Sequence, residues 1–261
     1  MDNQHEDMQL RTGKLLFGDC IEIMKKFKEN SIDLVFADPP YFLSNGGISC
    51  KSGKIVCVDK GEWDKESNKN KIIEFTEKWI LESKRVLKSN GTIWITGTFH
   101  NIFYIGMTLQ KYSFKILNMV SWIKEDPPPN LTKRMLTHSV EFIIWAKRGP
   151  TSKQCFNYDI LKKMNNGKEM TDAWIMPHVP YSEKSFGYHP TQKPIHLLER
   201  IILCSTKEND IVLDPFSGSG TTAVAAIKNN RRFICIEKDK KYYNLSKNRI
   251  SYYLSLKYLK K

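Results

Sequence analysis

Residues 211–222 read IVLDPFSGSGTT, and this stretch decides the fold that the sequence predicts. A short apolar run leads through the turn Asp214–Gly220 into a small, apolar helical segment, Thr221–Asn229. A strand followed by a glycine turn and a helix is the unit of a doubly wound α/β sheet, in which nucleoside-type ligands bind at the carboxyl ends of the strands. The turn has no lysine after its second glycine and no third glycine, so it is neither a Walker loop nor a full dinucleotide fingerprint. Taken alone, it also fits a tight structural corner.

Other short apolar runs extend this unit in both directions along the chain. Ile32–Ala37 ends at Asp38, and Arg232–Ile236 ends at Glu237. Continuous apolar strands separated by helices predict a parallel sheet that is buried on both faces. We therefore expect an α/β fold with a doubly wound, mostly parallel, Rossmann-like sheet. The remaining predicted elements are the helix Lys71–Lys88 closed by Asn90-Gly91, the strand Thr92–Thr96, the helix Pro194–Ser205, and an antiparallel strand pair at one edge, Asn118–Ile123 and Val140–Trp145.

Three stretches do not fit the alternation of strands and helices. Phe42–Asn70 is rich in Gly, Ser, Lys and Asn and is predicted to be a long loop. Glu125–Thr137 and Thr151–Tyr188 mix prolines, basic residues and aromatics without a clear period. We interpret the last two as a recognition lobe inserted into the sheet domain. The predicted organisation is a catalytic half at 12–124, a target-recognition region with an edge strand at 125–188, and a cofactor-binding half at 189–261.

The composition restricts the class of protein. The chain has 261 residues, and its 41 Lys and Arg against 28 Asp and Glu give a net charge of +13. Such a positive field favours a polyanion such as DNA. The six cysteines form no C-x-x-C pair and have no histidine cluster beside them, so we expect neither a structural zinc site nor a disulfide framework. The polar N-terminus and the lack of a long apolar run predict a cytoplasmic protein without a membrane span or metal.

The turn Asp38-Pro39-Pro40-Tyr41 carries groups that can bind an amino group attached to an aromatic ring. Such an amine is a poor nucleophile because its lone pair is delocalised into the ring. The Asp38 carboxylate and the Pro39 carbonyl can accept from its two N–H bonds, which localises the lone pair and stabilises the developing cation. The two prolines stiffen the turn, and Tyr41 can stack on a base. Glu237, which follows another strand, can accept both hydrogen bonds of a ribose diol, unless it is only a solvated acid at a strand end.

Together, D-P-P-Y and F-x-G-x-G resemble the motifs of the amino-DNA methyltransferases. Their order, catalytic turn first and cofactor turn last, is similar to the circularly permuted β-class. Residues 36–47, FADPPYFLSNGG, look most like the DpnA type, which methylates GATC and accepts single-stranded DNA. The HinfI type is also similar but carries a C-terminal extension. This resemblance implies a restriction-modification enzyme that transfers a methyl group from S-adenosylmethionine to N6 of adenine, the aspartate in the first position being typical of adenine enzymes.

The resemblance also assigns residues to roles. The segment His189–Pro194 resembles the part of the family that holds the methionine end of the cofactor, and Gly18-Asp19-Cys20 resembles the loop that contacts its adenine. Asp19 has an alternative as a helix N-cap. In the permuted order, the strands before Asp19, Asp38, Asp214 and Glu237 lie side by side. The expected catalytic residues are Asp38, Pro39, Pro40 and Tyr41; the expected cofactor-binding residues are Asp19, Cys20, Asp38, His189, Thr191, Gln192, Lys193, Asp214, Phe216, Ser217, Gly218, Ser219, Gly220, Thr221, Glu237 and Lys238.

Contacts with DNA are assigned less sharply by the sequence. An adenine inside a duplex must leave the stack before its N6 can react, and Phe42 is a candidate for the pocket that receives it. The candidates for sequence readout are Asn130, Thr132, Lys133, Arg134 and His138. Each of them also fits a phosphate contact or a solvated loop, and His138 alone fits a structural role. The sequence leaves open a homodimer, a cytosine-N4 methyltransferase and a DNA-binding relative without catalysis.

Overall fold

A computed structural model describes residues 7–10, 12–44, 48–51, 54–57, 64–127, 129–130 and 133–259, with the backbone alone for 48–51 and 54–57. Within these residues, nine strands form one sheet in the order β1-β2-β11-β10-β3-β6-β8-β7-β9. Its strands are β1 Met8–Leu10, β2 Gly13–Phe17, β3 Ile32–Ala37, β6 Leu87–Gly97, β7 Lys115–Ile123, β8 Val140–Lys147, β9 Ala173–Ile175, β10 Ile211–Asp214 and β11 Arg232–Glu237. The helices are α1 Cys20–Met24, α2 Lys69–Val86, α3 Ile102–Lys111, α4 Tyr158–Met164, α5 Ile195–Ser205, α6 Thr221–Lys228 and α7 Lys240–Leu259.

Helices cover both faces of the sheet, as the apolar strands predict. The five central strands, β2, β11, β10, β3 and β6, run parallel to one another. Every residue of β3 is buried: its apolar side chains are divided between two cores, and Asp33 accepts hydrogen bonds from Lys88 Nζ and Ile211 N. One core joins the sheet to α4, α5, α6 and α7, and the other joins it to α1, α2 and α3. The prediction of a doubly wound, mostly parallel α/β fold is therefore confirmed.

The predicted end of the second helix is wrong. We expected Asn90-Gly91 to close the helix, but α2 ends at Val86 and the chain enters β6 directly at Leu87. The register between β3 and β6 shifts here, since Ile32 pairs with Leu87 and Leu34 pairs with Thr92. A Cβ at Gly91 would lie 2.8 Å from Leu87 Cδ2 and 3.1 Å from the carbonyl oxygen of Asp33. The glycine is needed for close approach of backbone at a bulge, and not for a helix cap.

The stretch Phe42–Asn70 is not loop throughout, as we expected it to be. It contains an antiparallel hairpin of β4 Ile48–Lys51 and β5 Lys54–Cys57, and its last residues already belong to α2. Two β-prone runs separated by Ser52-Gly53 are a hairpin signal that the high content of Gly, Ser and Lys concealed. The stretch Thr151–Tyr188 likewise holds α4, β9 and a 3₁₀ turn at Tyr181–Lys184.

The antiparallel pair β7–β8 is confirmed, although β9 lies outside it as the last strand of the sheet. The pair matters for the site because β8 runs antiparallel to β6, and Gly97 at the end of β6 pairs with Phe142 near the start of β8. The segment 124–139, which joins β7 to β8, therefore leaves the sheet at the edge where the parallel strands end.

Gly220 has a structural role that a substitution will expose. Its φ is +75°, it caps α6, and a Cβ there would collide with Ser246 of α7, a residue with no exposed surface. We expect Gly220→Ala to lower the free energy of unfolding by about 2–4 kcal/mol, from left-handed strain and overpacking, and the Tm by roughly 5–10 °C. Thermal unfolding measures this.

Gly149→Ala is the matched control, because nothing lies within 4 Å of the added Cβ. Equal melting temperatures for the two variants would refute the structural role of Gly220.

Candidate active site

Four strand ends that are far apart in the sequence meet at one edge of the sheet. β2, β11, β10 and β3 are consecutive in the sheet and parallel, so the residues that follow them lie side by side. Asp19 and Asp38 come just after β2 and β3, Glu237 and Asp214 are the last residues of β11 and β10, and all four line one cavity of about 610 Å³. The predicted adjacency of these strands is confirmed. A cavity of this size is within the range of small-molecule and cofactor sites.

The Asp38 carboxylate is held from three sides. Its Oδ1 accepts from the Tyr41 hydroxyl at 2.7 Å and from the Thr96 hydroxyl at the end of β6, and its Oδ2 accepts from Lys193 Nζ at 2.8 Å. Tyr41 is buried, and burial together with the Asp38 charge raises the pKa of its phenol well above the usual value. Tyr41 is therefore a neutral donor to Asp38 at neutral pH. These three donors fix the orientation of the Asp38 carboxylate.

A buried aspartate that sequence reasoning missed holds the end of the catalytic turn. Asp64 has no exposed surface and accepts from Phe42 N at 2.6 Å, Leu43 N at 3.1 Å and Ser44 Oγ at 2.7 Å. These bonds hold Phe42 at φ +54°, in the left-handed region that a bulky residue rarely adopts. The only available signal was a lone acid after a polar stretch, which does not reveal a partner 22 residues away.

Aromatic rings connect the catalytic turn to the glycine turn. Phe42 meets Phe75 of α2 edge-on at 6.1 Å between centroids, and Phe75 lies 6.0 Å from Phe216 of the glycine turn. Phe216 in turn packs edge-on against the fully buried Trp79 at 5.4 Å. This row places apolar surface between the two turns. Flat ring systems of a base and a nucleoside are suited to such a wall.

The glycine turn and Glu237 form one hydrogen-bonded unit. Glu237 Oε2 accepts from Gly218 N at 2.7 Å, and Oε1 accepts from Asp239 N at 2.8 Å. Asp214 is buried, with Oδ1 accepting from Phe216 N at 2.9 Å and Oδ2 from the Thr222 hydroxyl. Burial raises the pKa of both acids to about 7. Each oxygen of Glu237 keeps a second lone pair, so the carboxylate can still accept from a ribose diol.

Of the predicted cofactor residues, Gly220 alone does not line the cavity. Gly220 instead packs against Ser246 of α7. A buried arginine of the same helix, which we did not anticipate, contacts the glycine turn. Arg249 is 1% exposed and donates to the Ser219 carbonyl at 3.3 Å, to Ser219 Oγ at 3.1 Å and to Thr221 Oγ1 at 2.9 Å. Glu183 lies 3.4 Å from the same guanidinium. Arg249 thus fixes the glycine turn by donating to the hydroxyl groups of Ser219 and Thr221 and to the Ser219 carbonyl.

The segment His189–Lys193 crosses the cavity between the two turns, and four of its predicted residues line it. Burial lowers the pKa of His189 to about 4, so its ring is neutral, and Nδ1 accepts from Thr191 N at 3.3 Å. A Cβ on Gly218, whose φ is +52°, would lie 3.0 Å from His189 Nε2. Gln192 Nε2 donates to the Glu183 carbonyl at 3.0 Å. The neutral histidine therefore packs where the glycine leaves room.

Asp19 caps a helix and also faces the cavity. Its Oδ1 accepts from Ile21 N at 3.0 Å and Glu22 N at 3.3 Å at the start of α1, which is the alternative that we considered. Its Oδ2 lies 3.7 Å from Lys238 Nζ. Asp19, Cys20 and Lys238 all line the cavity. The contact of Asp19 with an adenine amino group stays a prediction.

The candidates for DNA readout lie on the 124–139 segment, outside the cavity lining. Lys133 and Arg134 are exposed, and Asn130 Nδ2 donates to the Met135 carbonyl. His138 stacks on Phe99 at 4.6 Å between centroids, which matches a structural role. Thr132 lies outside the described residues.

The residues of the cavity fit S-adenosylmethionine. Its adenosine part needs hydroxyl acceptors, a backbone without side chains and flat apolar surface, and Glu237, Gly218 and Phe216 supply these. Its sulfonium is positive, and Asp38, Asp214 and Glu237 are carboxyl groups in the same cavity. Among the described residues, no group of three or more His, Cys, Asp or Glu is arranged to hold a metal, and no helix is long and apolar enough to cross a membrane.

Comparison with known proteins assigns the family. A family model described as DNA methylase matches residues 32–248. The chain is 51% identical over 232 residues to the type II methyltransferase M2.MboI of Moraxella bovis, covering 89% of this chain and 85% of the relative. It is 51% identical over 237 residues to M2.DpnII of Streptococcus pneumoniae, covering 90% and 88%. It superposes on the M1.HpyAVI–SAM complex with a TM-score of 0.65 at 28% identity, covering 90% of this chain and 98% of that one.

The chain therefore belongs to the DNA methylase family, whose members methylate DNA with S-adenosylmethionine as cofactor. The resemblance to DpnA-type amino-DNA methyltransferases, the Rossmann-like fold and the cofactor predicted from the sequence are confirmed.

The raised pKa of Glu237 predicts a pH dependence of cofactor binding. Ribose hydroxyls that donate to Glu237 would favour its ionised form, whereas burial raises its pKa to about 7. The affinity for S-adenosylmethionine should therefore rise about tenfold between pH 6 and pH 8, with release of a proton on binding. Isothermal titration calorimetry in buffers of different ionisation enthalpy measures both quantities.

Glu237→Gln should weaken binding and flatten this dependence. Glu199→Gln is the control and should keep the pH dependence, because Glu199 pairs with Lys228 and does not line the cavity. A wild-type affinity that does not change with pH would count against the ribose contact.

Proposed function

We propose that the protein transfers the methyl group of S-adenosylmethionine to N6 of adenine in DNA. One observation carries the proposal. The turn Asp38–Tyr41 and the turn Asp214–Gly218 lie at the carboxyl ends of two neighbouring parallel strands, β3 and β10, and line the same cavity. One turn presents acceptors for an aromatic amine, and the other presents the bare backbone and carboxylates that suit a nucleoside. The two reactants of a methyl transfer would therefore meet in one cavity.

The chain contributes mainly position and charge to this reaction. The Asp38 carboxylate and the Pro39 carbonyl accept from the two N–H bonds of the target amine, which directs its lone pair towards the sulfonium methyl that the bound cofactor supplies. Positive charge develops on the amine during attack, and the fixed carboxylate stabilises it without reorganisation. The stiff proline corner holds the amine in line, which contributes through proximity and orientation. The proton that the amine loses afterwards can pass to water, so Asp38 need not act as a general base.

The target adenine must leave the base stack, because its N6 is out of reach inside a duplex. Tyr41 and Phe42 line the cavity at the catalytic turn and offer ring faces for the extruded base. The segment 124–139 projects from the same edge of the sheet, with Lys133 and Arg134 exposed on it. We propose that residues 125–188 recognise the target, that 12–124 and 189–261 are the catalytic and cofactor-binding halves, and that the net charge of +13 attracts the phosphate backbone.

The proposed site is GATC, in a restriction-modification system in the cytoplasm. The DpnA-type stretch at residues 36–47 supports this site, as does the 51% identity to two type II methyltransferases. The same likeness favours activity on single-stranded as well as double-stranded DNA. Sedimentation with and without DNA distinguishes a monomer from a homodimer, the two assemblies that the sequence leaves open.

Asp38→Asn tests the proposed chemistry. The variant keeps the shape of the side chain but loses the charge that stabilises the developing cation, so we expect the methyl transfer rate to fall at least about 100-fold. The dissociation constant for S-adenosylmethionine should change less than about threefold. Labelled cofactor with adenine- and cytosine-containing oligonucleotides, followed by nucleoside separation, measures the rate and the target base.

Asp159→Asn is the control, since Asp159 is an exposed acid on α4. Label on cytosine alone would refute the adenine assignment, and full activity of Asp38→Asn would refute the mechanism.

Arg134 and Lys133 test the assignment of the 124–139 segment. We propose that Arg134 contacts a base, so Arg134→Ala should weaken binding to a GATC duplex about tenfold and leave binding to unrelated DNA nearly unchanged. Lys133→Ala should weaken both alike and reduce the slope of log affinity against log salt by about 0.9, as expected for one phosphate contact. Fluorescence anisotropy over a salt series measures both.

Lys163→Ala, an exposed lysine of α4, is the control. Unchanged affinity and slope in both test variants would place recognition elsewhere in the chain.

A further inference from the structure

Lys193 lies at the catalytic turn. Its side chain is 6% exposed, and Nζ is 2.8 Å from Asp38 Oδ2, 3.3 Å from the Tyr41 hydroxyl and 3.5 Å from Glu141 Oε2. The ammonium also sits 5.5 Å from the centre of the Tyr41 ring. An ammonium removed from water in this way is tolerated only with carboxylates and hydrogen bonds around it. Lys193 therefore belongs to a cluster of buried charged and polar groups around Asp38.

Glu141 is the second carboxylate of this cluster and comes from a different part of the fold. It lies near the start of β8, and its Oε1 pairs with Lys124. Its Oε2 is buried, makes no hydrogen bond within the described residues, and faces Lys193. Burial alone would raise the pKa of Glu141, but the charges of Lys193 and Lys124 outweigh it and lower the pKa. Glu141 is thus ionised and directed at Lys193.

The charges of the cluster suit the reaction. A lysine alone on Asp38 would offset the negative charge that must stabilise the reacting amine. With Glu141 on its other side, Lys193 divides its charge between two carboxylates, so that Asp38 is only partly neutralised by it, while Lys124 balances the remaining charge at Glu141 Oε1. Asp38 then keeps a donor that fixes its orientation and also keeps its strength as an acceptor. Lys193 can therefore orient Asp38 without fully neutralising its charge.

We infer that Lys193 and Glu141 are positioning residues for Asp38. Lys193 holds Oδ2 so that the carboxylate faces the incoming amine, and Glu141 acts through Lys193 by holding its ammonium in place. This inference rests on the proposed methyl transfer at Asp38. It differs from the sequence-based expectation that Lys193 binds the methionine carboxylate of the cofactor. In the structure, Lys193 Nζ contacts Asp38. The backbone N–H of Ile195, the first residue of α5, donates to Glu183 Oε2 at 3.0 Å, so this N–H also has a partner within the protein.

The test is a double-mutant cycle with Lys193→Met, Glu141→Gln and the double variant, read by single-turnover rate and by cofactor affinity. We expect Lys193→Met to lower the rate about 100-fold at saturating cofactor and Glu141→Gln to lower it about tenfold. The double variant should be no slower than Lys193→Met, because Glu141 acts only through Lys193. The dissociation constant for S-adenosylmethionine should stay within about threefold of the wild type throughout.

Two results would overturn the inference. If Lys193→Met binds the cofactor weakly but reacts at the normal rate when saturated, Lys193 is a cofactor residue. If the two single effects multiply in the double variant, Glu141 does not act through Lys193. Glu199→Gln, which removes an ion pair with Lys228 elsewhere, is the control for loss of an acid and should behave as the wild type.

Two further measures keep the outcome interpretable. Lys193→Gln, which retains N–H donors without the charge, replaces Lys193→Met if that variant does not fold, and the same rate and affinity criteria apply to it. The proposed function is tested separately, by the base that the wild type labels. Label on cytosine, or on no base of DNA, would refute it. With label on cytosine, the same cycle is measured on that base, and the pattern of rates supports or overturns the positioning role as above.

Discussion

The parallel pairing of β3 with β10 is the constraint on which the site depends. Leu34 pairs with Val212 and Val35 with Leu213, so the two strands end at the same edge within a few residues of each other. Asp214 follows Asp38 by 176 residues in the sequence, and this pairing brings the two to the same edge of the sheet. The two buried faces of these strands resist a slip in register, because a shift by one residue would move each side chain to the opposite core and disrupt the packing there. The hydrophobic pattern of two short strands thereby sets the distance between an amine acceptor and a cofactor turn.

The site combines many charged groups with little exposed charge. Asp38 shares Lys193 with Glu141, and the pKa values of Asp214 and Glu237 are raised by burial to about 7. His189 stays neutral beside Gly218 because burial lowers its pKa to about 4. We propose that the positive cofactor binds next to these carboxyl groups, which burial makes costly to ionise. Its sulfonium and its ribose hydroxyls would offset that cost.

The sequence predicted the sheet and its ligand edge well, because these depend on local patterns. Short apolar runs that end at Asp38, Asp214 and Glu237 identify parallel strands and their carboxyl ends without any knowledge of tertiary contacts. Local patterns also misled at Asn90-Gly91, where a good helix-capping signal serves a bulge between β3 and β6. Backbone crowding by a neighbouring strand cannot be deduced from the segment itself.

The residues that support the site could not be predicted from the sequence, for the same reason. Asp64 holds the end of the catalytic turn from 22 residues away, and Arg249 holds the glycine turn from 28 or more residues away. Glu141 contacts Lys193 from 52 residues away. Each is an ordinary charged residue in its own segment, and only the fold shows which group it contacts. Lys193 was recognised as a site residue, but its partner Asp38 is 155 residues away in the sequence. Motifs thus identify the reacting groups, whereas the groups that orient them depend on tertiary structure.

The most direct test of the account is a crystal structure of the protein with an unreactive analogue of S-adenosylmethionine and a DNA duplex that contains GATC. The account predicts the analogue across Asp214–Gly218 with its ribose on Glu237, and an extruded adenine whose N6 lies within hydrogen-bonding distance of both Asp38 and the Pro39 carbonyl. An analogue bound in another cavity, or an adenine that enters without contact to Asp38, would contradict it.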